Sequence, residues 1–152
     1  MIDLLRTEAA AGFRRLAGTR LTGTVPLAQA VLNTMLRQVR QVPPGFLVEV
    51  QAANRIVARY GVVRATAIID EEVRLESGAP QIRLELASGV IAWTLSRSLR
   101  LAALRFDGRR VIVDLGALPG IGHYRPYFAH LQRVTLRTTP GQVHVDFDVA
   151  VT

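Results

Sequence analysis

The chain has 152 residues, 49% of them hydrophobic and only 6% aromatic, with a formal net charge of +7 and no cysteine. That length and composition suit one domain, 1–152, with a core of Val, Leu, Ile and Ala, and they exclude disorder, a disulfide framework and a thiolate metal site. All 19 basic residues are arginine, and residues 1–64 hold nine of them against Asp3, Glu8 and Glu49, while residues 65–152 hold ten against nine acids.

Taken in order, the elements are helical over 1–42 and β-rich over 46–152. Residues 3–17 read as a helix, with Ile2, Leu5, Ala9, Phe13 and Leu16 recurring at helical spacing, Asp3 as cap and Gly18 as stop. Leu21–Val25 is a short extended link. Thr24 then caps a second predicted helix with Pro26 in its first turn, where a missing N–H costs nothing. Its apolar face is Leu27, Val31, Leu32, Met35, Leu36 and Val39. Its polar face is Gln29, Asn33, Arg37 and Arg40. Pro43-Pro44-Gly45 ends it.

From Phe46 the period becomes two. Asn54-Arg55 reads as a turn, residues 55–76 as an extended segment bent or bulged at Gly61, and Gly78-Ala79-Pro80 as a turn. Ser88-Gly89 is expected to close a hairpin between 81–87 and a strand in 90–100, although Ile91, Leu95 and Leu99 also fit a helix. Asp107-Gly108 is the strongest turn signal, joining 101–106 to 110–115. Residues 116–130 are irregular and aromatic. Strand 131–138 turns through Pro140-Gly141 into Val143, Val145, Phe147, Val149 and Val151, which alternate with His144, Asp146 and Asp148. The fold class expected is α+β, with N-terminal helices packed on a curved, mainly antiparallel β-sheet.

No nucleophile elbow, phosphate loop or His-Glu-x-x-His motif is present, so no catalytic residue and no cofactor is assigned and an enzyme is not the expectation. His144, Asp146 and Asp148 stand roughly 6–7 Å apart along one strand face. They are the donor types of a hard or borderline cation, and equally the polar face any half-buried strand carries, so no metal is assigned. His123, Tyr124, Arg125 and His130 in the aromatic loop are the candidates for an enzymatic alternative.

The run Val25-Pro26-Leu27, then Leu32-Asn33-Thr34-Met35-Leu36, then amphipathic strands from Phe46, resembles tubular lipid-binding (TULIP-like) domains, including small bacterial lipoprotein members. The resemblance covers roughly residues 20–76. It implies a helix lying along a curved sheet over an apolar cavity, a lipid or other apolar small molecule as partner, and no catalytic residues. The aliphatic excess points the same way. The residues expected to line such a site are Met35, Leu36, Phe46, Trp93, Phe106 and Phe147.

The alternative is an arginine-rich module docking on an anionic surface, an acidic membrane or, less favoured, nucleic acid. Arg6, Arg14, Arg15 and Arg20 are its expected contacts. The N-terminus lacks the basic start and apolar run of a signal peptide, which makes the cytoplasm the default expectation.

Overall fold

A computed structural model of the chain describes residues 7, 14–40, 42–75, 79–99, 101–118 and 125–152. The predicted helix over 3–17 lies almost wholly outside them; Arg14–Leu16 form a 3-10 turn. The described elements are β1 (Arg20–Ala28), α1 (Gln29–Gln38), β2 (Leu47–Val50), β3 (Arg55–Tyr60), β4 (Val63–Ile69), β5 (Gln81–Leu86), α2 (Gly89–Ser98), β6 (Leu104–Asp107), β7 (Arg110–Asp114), α3 (Arg125–Phe128), β8 (Leu131–Thr139) and β9 (Gln142–Ala150). The fold is α+β. Instead of the one sheet expected, the strands form two antiparallel sheets, β1-β9-β8 and β2-β3-β4-β5-β7-β6.

Four local expectations change. Thr24 and Pro26 belong to strand β1, and the helix starts at Gln29. The bonds flanking β1, from Val151 N–H to Thr19 C=O and from Gln29 N–H to Gly141 C=O, fix its alternation. Even-numbered residues therefore direct their backbone away from β9. Pro26 sits at such an outward position of an edge strand, where its missing N–H breaks no ladder bond.

Gly61 is a hairpin turn and not a bulge. Tyr60 pairs with Val63, leaving Gly61-Val62 as a two-residue loop in which Gly61 alone takes positive φ, 58°, the pattern of a type II′ turn. Ser88-Gly89 closes no hairpin; it begins α2, and β5 pairs with β7 instead. Residues 90–98 are accordingly helix, because Ala92, 1% exposed, and Leu95 pack one turn apart onto Ala67, Leu86 and Val111. The turns at Asn54, Gly108 and Gly141 stand where expected. The turn at Gly78-Ala79-Pro80 falls partly outside the described residues.

One face of the six-stranded sheet is apolar throughout: Val48 and Val50, Ile56 and Ala58, Ala65, Ala67 and Ile69, Ile82, Leu84 and Leu86, Val111 and Val113, Leu104 and Phe106. Two core clusters lie on it. One joins Val50 and Ile69 to Val134, Leu136 and Val143 of the other sheet, with Leu32 of α1 against it. The second gathers around α2.

The sheets are tied together at their edges. Leu136 N–H donates to Glu71 C=O (2.7 Å) and Val73 N–H to Val134 C=O (3.0 Å), so the connection after β4 runs beside β8. The outer edge of β2 is covered by side chains of α1. Val48 N–H donates to Asn33 Oδ1 (2.8 Å), Asn33 Nδ2 donates to Val48 C=O (3.0 Å), and Val50 N–H donates to Gln29 Oε1 (2.8 Å). Gly141 N–H takes the Val50 carbonyl. Gln29 and Asn33, one turn apart on a face expected to be solvated, thus act as a surrogate strand that leaves β2 no open edge.

Candidate functional site

The inner face of the three-stranded sheet is built by period-two alternation, interrupted on β8 by a bulge between Leu131 and Arg133. Register sets Leu21, Val149 and Leu131 in one row, then Gly23, Phe147 and Val134, then Val25, Val145 and Leu136, then Leu27, Val143 and Thr138. Burial changes along each row. In the third, Leu136 is 6% exposed under the six-stranded sheet, Val145 is half-buried, and Val25 at the edge is 43% exposed. In the first, Leu21 reaches 59%. The six-stranded sheet covers the β8 side of this apolar face and leaves the β1 side bare.

Gly23 shapes the bare strip. A Cβ there would stand 2.7 Å from Phe147 Cζ, so the phenyl ring lies directly against the β1 backbone because residue 23 has no side chain. The half-buried ring and the aliphatic tips of Leu21 and Val25 form one apolar shelf. The helix α1 leaves β1 without a loop and contacts it. Its Val31 and Met35, one turn apart, are also exposed, Met35 to 55%. Their exposure follows from the helix turning Gln29 and Asn33 inward to serve β2.

The six residues expected to line a ligand site are spread over two regions. Phe147 on β9 forms the floor of the shelf, while Met35, exposed, and Leu36, half-buried, lie on α1. Phe46 is half-buried just before β2. Phe106 on β6 packs with the second core cluster. Trp93 on α2 is 59% exposed, with the Arg97 guanidinium 4.5 Å from its ring centroid. The helix-then-strands layout and the aliphatic excess point to these positions, whereas the shelf is made by aliphatic alternation in β1. That alternation, Leu21-Gly23-Val25-Leu27, stands in the sequence beneath the helix-cap pattern of Thr24 and Pro26.

The opposite face of this sheet is charged and internally matched. The Arg20 guanidinium forms a paired hydrogen bond with the Asp148 carboxylate. Asp146 accepts from Thr24 Oγ1 (2.5 Å) and from Arg137 Nε (2.9 Å). The Thr24 bond and then Arg137 hold the Asp146 carboxyl below its ordinary value, and the Arg20 bond does the same for Asp148. His144 lies 3.1 Å from Thr139 Oγ1. The three side chains thus have separate partners, and among the described residues no group of His, Asp and Glu is placed to hold a metal ion.

Of the expected anionic-surface contacts, Arg6 lies outside the described residues, Arg14 and Arg15 are exposed in the turn before β1, and Arg20 is engaged by Asp148. In the aromatic loop, His123 and Tyr124 are outside the described residues, and Arg125 opens the single turn of α3. Register gathers a larger set of arginines elsewhere, interspersed with Glu49, Glu85, Asp107 and Asp114. Arg55, Arg59, Arg64, Arg83, Arg105 and Arg110 all fall on the outer face of the six-stranded sheet, opposite its apolar side. Two open depressions flank residues 70–75: one of about 270 Å³ is lined by Val73, Leu75 and Val134 together with Glu72, Gln132 and Arg133, and one of about 380 Å³ is lined by Asp70, Glu71, Glu72, Arg74 and Arg83 around Val73. No helix among the described residues is long and apolar enough to cross a membrane.

Comparison of the chain with family models, with curated proteins and with solved structures finds no match.

Proposed function

We propose that the protein is a non-enzymatic binding domain for a lipid or similar apolar ligand, held on the shelf between β1 and α1. The observation that carries the reading is the burial gradient across the three-stranded sheet, from Leu136 at 6% to Val25 at 43% and Leu21 at 59%. An aliphatic strip with an aromatic floor recognises an acyl chain by contact area and by nothing else. Each buried methylene contributes about 0.8 kcal/mol. Six carbons fully buried would gain roughly 5 kcal/mol, and a chain lying on an open shelf buries only one side, so the affinity is weak, millimolar or poorer. That suits a carrier or tether that releases its ligand, not a tight store. The reading keeps the expectation of N-terminal helices lying on a curved sheet, and the packing of Leu32 against the first core cluster supports it for α1.

Native mass spectrometry of freshly purified protein, followed by organic extraction, tests the reading. The expected result is a lipid-sized adduct, lost in Val25→Asp and Leu21→Asp, two changes at exposed positions. A bare protein that also fails to bind a fluorescent fatty acid would refute it.

A further inference from the structure

We propose that the β3–β4 hairpin docks the domain on an anionic bilayer, its apolar tip entering the headgroup region while Arg59 and Arg64 hold lipid phosphates. A different element carries this inference, and it does not depend on the shelf.

The turn needs a residue with positive φ, which Gly61 supplies. It does not need an apolar neighbour, yet Val62 is fully exposed, and Tyr60 and Val63, directly paired across the hairpin, are each about half exposed. These three side chains add little to either core cluster. They cap the far end of a ribbon whose next pair is Arg59 opposite Arg64. Like charges placed directly across a ladder oppose each other. One carboxylate serves this pair, with Glu49 Oε2 2.7 Å from Arg59 Nη2. The hairpin therefore presents an apolar apex above an under-compensated arginine collar, and Arg55 continues the basic surface down the same face.

That combination fits a membrane interface better than other anions. Tyr60, at the apex on the ribbon face opposite the arginines, has an apolar body and a polar tip, the amphipathic form that settles at headgroup depth. Guanidinium binds phosphate oxygens in pairs. A nucleic-acid backbone would use the arginines but leave Val62 without a role. Among the described residues of this outer face, no aromatic side chain is present to stack on bases.

The chain has no cysteine, so Val62→Cys carries a single environment-sensitive dye at the apex. The probes are vesicles of phosphatidylcholine alone and of phosphatidylcholine with phosphatidylglycerol in equal parts, at low and at physiological salt. The expected result is a blue shift with the anionic vesicles only, weakening as salt screens the collar. In sedimentation, the unlabelled Arg59→Gln/Arg64→Gln protein should partition at least about ten-fold more weakly, and Val62→Asp should lose most binding. Val62→Asp, outside the shelf, should keep the lipid-sized adduct seen by native mass spectrometry while losing vesicle binding, which separates this result from failure of the ligand reading. Absence of binding at low salt overturns the proposal. So does binding without a dye shift, binding that survives Val62→Asp and the double variant, or binding lost only when Arg14 and Arg15 become Gln. Equal affinity for a DNA duplex, indifferent to Val62→Asp, also overturns it.

Discussion

Asn54 and Thr138, 84 residues apart in the chain, exchange hydrogen bonds across the two sheets: Asn54 N–H donates to Thr138 Oγ1 (2.7 Å) and Thr138 N–H to Asn54 Oδ1 (2.9 Å). The same threonine hydroxyl donates to Gln51 C=O (2.5 Å), and the Asn54 amide nitrogen donates to Leu136 C=O and Ile69 C=O. Asn54 also takes the left-handed conformation, φ 58°, which asparagine tolerates better than most residues. One side chain thereby closes the β2–β3 turn and fixes the distance between the sheets.

Thr138→Val keeps the shape of this buried residue and removes its hydroxyl. It leaves the Asn54 N–H and the Gln51 carbonyl without that partner, at a cost of about 1–3 kcal/mol. Urea unfolding of Thr138→Val, Asn54→Ala and the double variant should show sub-additive losses, since each single change breaks the same exchange. Additive losses would mean that the two residues act separately.

A second outcome concerns the edge of β2. Asn33→Leu retains a helix-forming residue and leaves the Val48 N–H and C=O unpaired, so stability should fall by about 1–3 kcal/mol. In hydrogen exchange, protection should drop at Val48 and persist at Val57, which is 1% exposed within β3. Gln29→Ala should move the loss to Val50. The exposed edge should also raise the tendency to self-associate, read by light scattering.

Acid should weaken the three-stranded sheet through Asp146 and Asp148. Both carboxyls titrate below their ordinary value in the folded chain, Asp146 chiefly through Thr24 and Asp148 chiefly through Arg20. The unfolded chain binds those protons more readily, so this stability is complete above the unfolded value near 3.9 and is lost as pH falls through the folded values. Urea midpoints between about pH 6 and pH 2 should fall more steeply in the wild type than in Asp146→Asn/Asp148→Asn. Parallel curves would show that the two carboxylates do not carry the acid limb.

Gly23→Val places methyl groups where the Phe147 ring lies, and overpacking of this kind costs typically about 1–3 kcal/mol. Phe147→Leu in the same chain should restore part of the loss, because it clears the space above residue 23. Thermal melts of the two single variants and the pair check it. No rescue would mean that the ring already has room to move aside.

The strand at 47–50, the last two strands and the turns at Gly108 and Gly141 were legible because alternation and turn chemistry are local properties that the tertiary structure leaves intact, whereas the hairpin at Gly61 and the helix at 89–98 were not. The start of α1 was not. Thr24 and Pro26 satisfy the rules for a helix start and equally those for an edge strand, and only pairing with β9 decides between them. The division into two sheets was hidden for a related reason, since a period of two marks a strand without naming its partner. Gln29 and Asn33 read as solvent-facing because amide side chains are polar, yet the unpaired backbone of β2 draws them inward. That rotation turns Val31 and Met35 outward, so part of the candidate site is a consequence of hydrogen bonding that no helical pattern records. The arginines of the outer face were equally invisible one at a time, because β4, β5 and β7 stand between β3 and β6 in the sheet before register aligns them.

The most direct test of the ligand reading is to locate a bound chain on the surface. A fatty acid bearing a photoreactive diazirine, irradiated with the purified protein and mapped by peptide mass spectrometry, should mark Leu21, Val25, Val31 and Met35, and unlabelled fatty acid should compete the labelling away. Labelling that resists competition, or that falls on α2 around Trp93 and spares β1 and α1, would contradict the account.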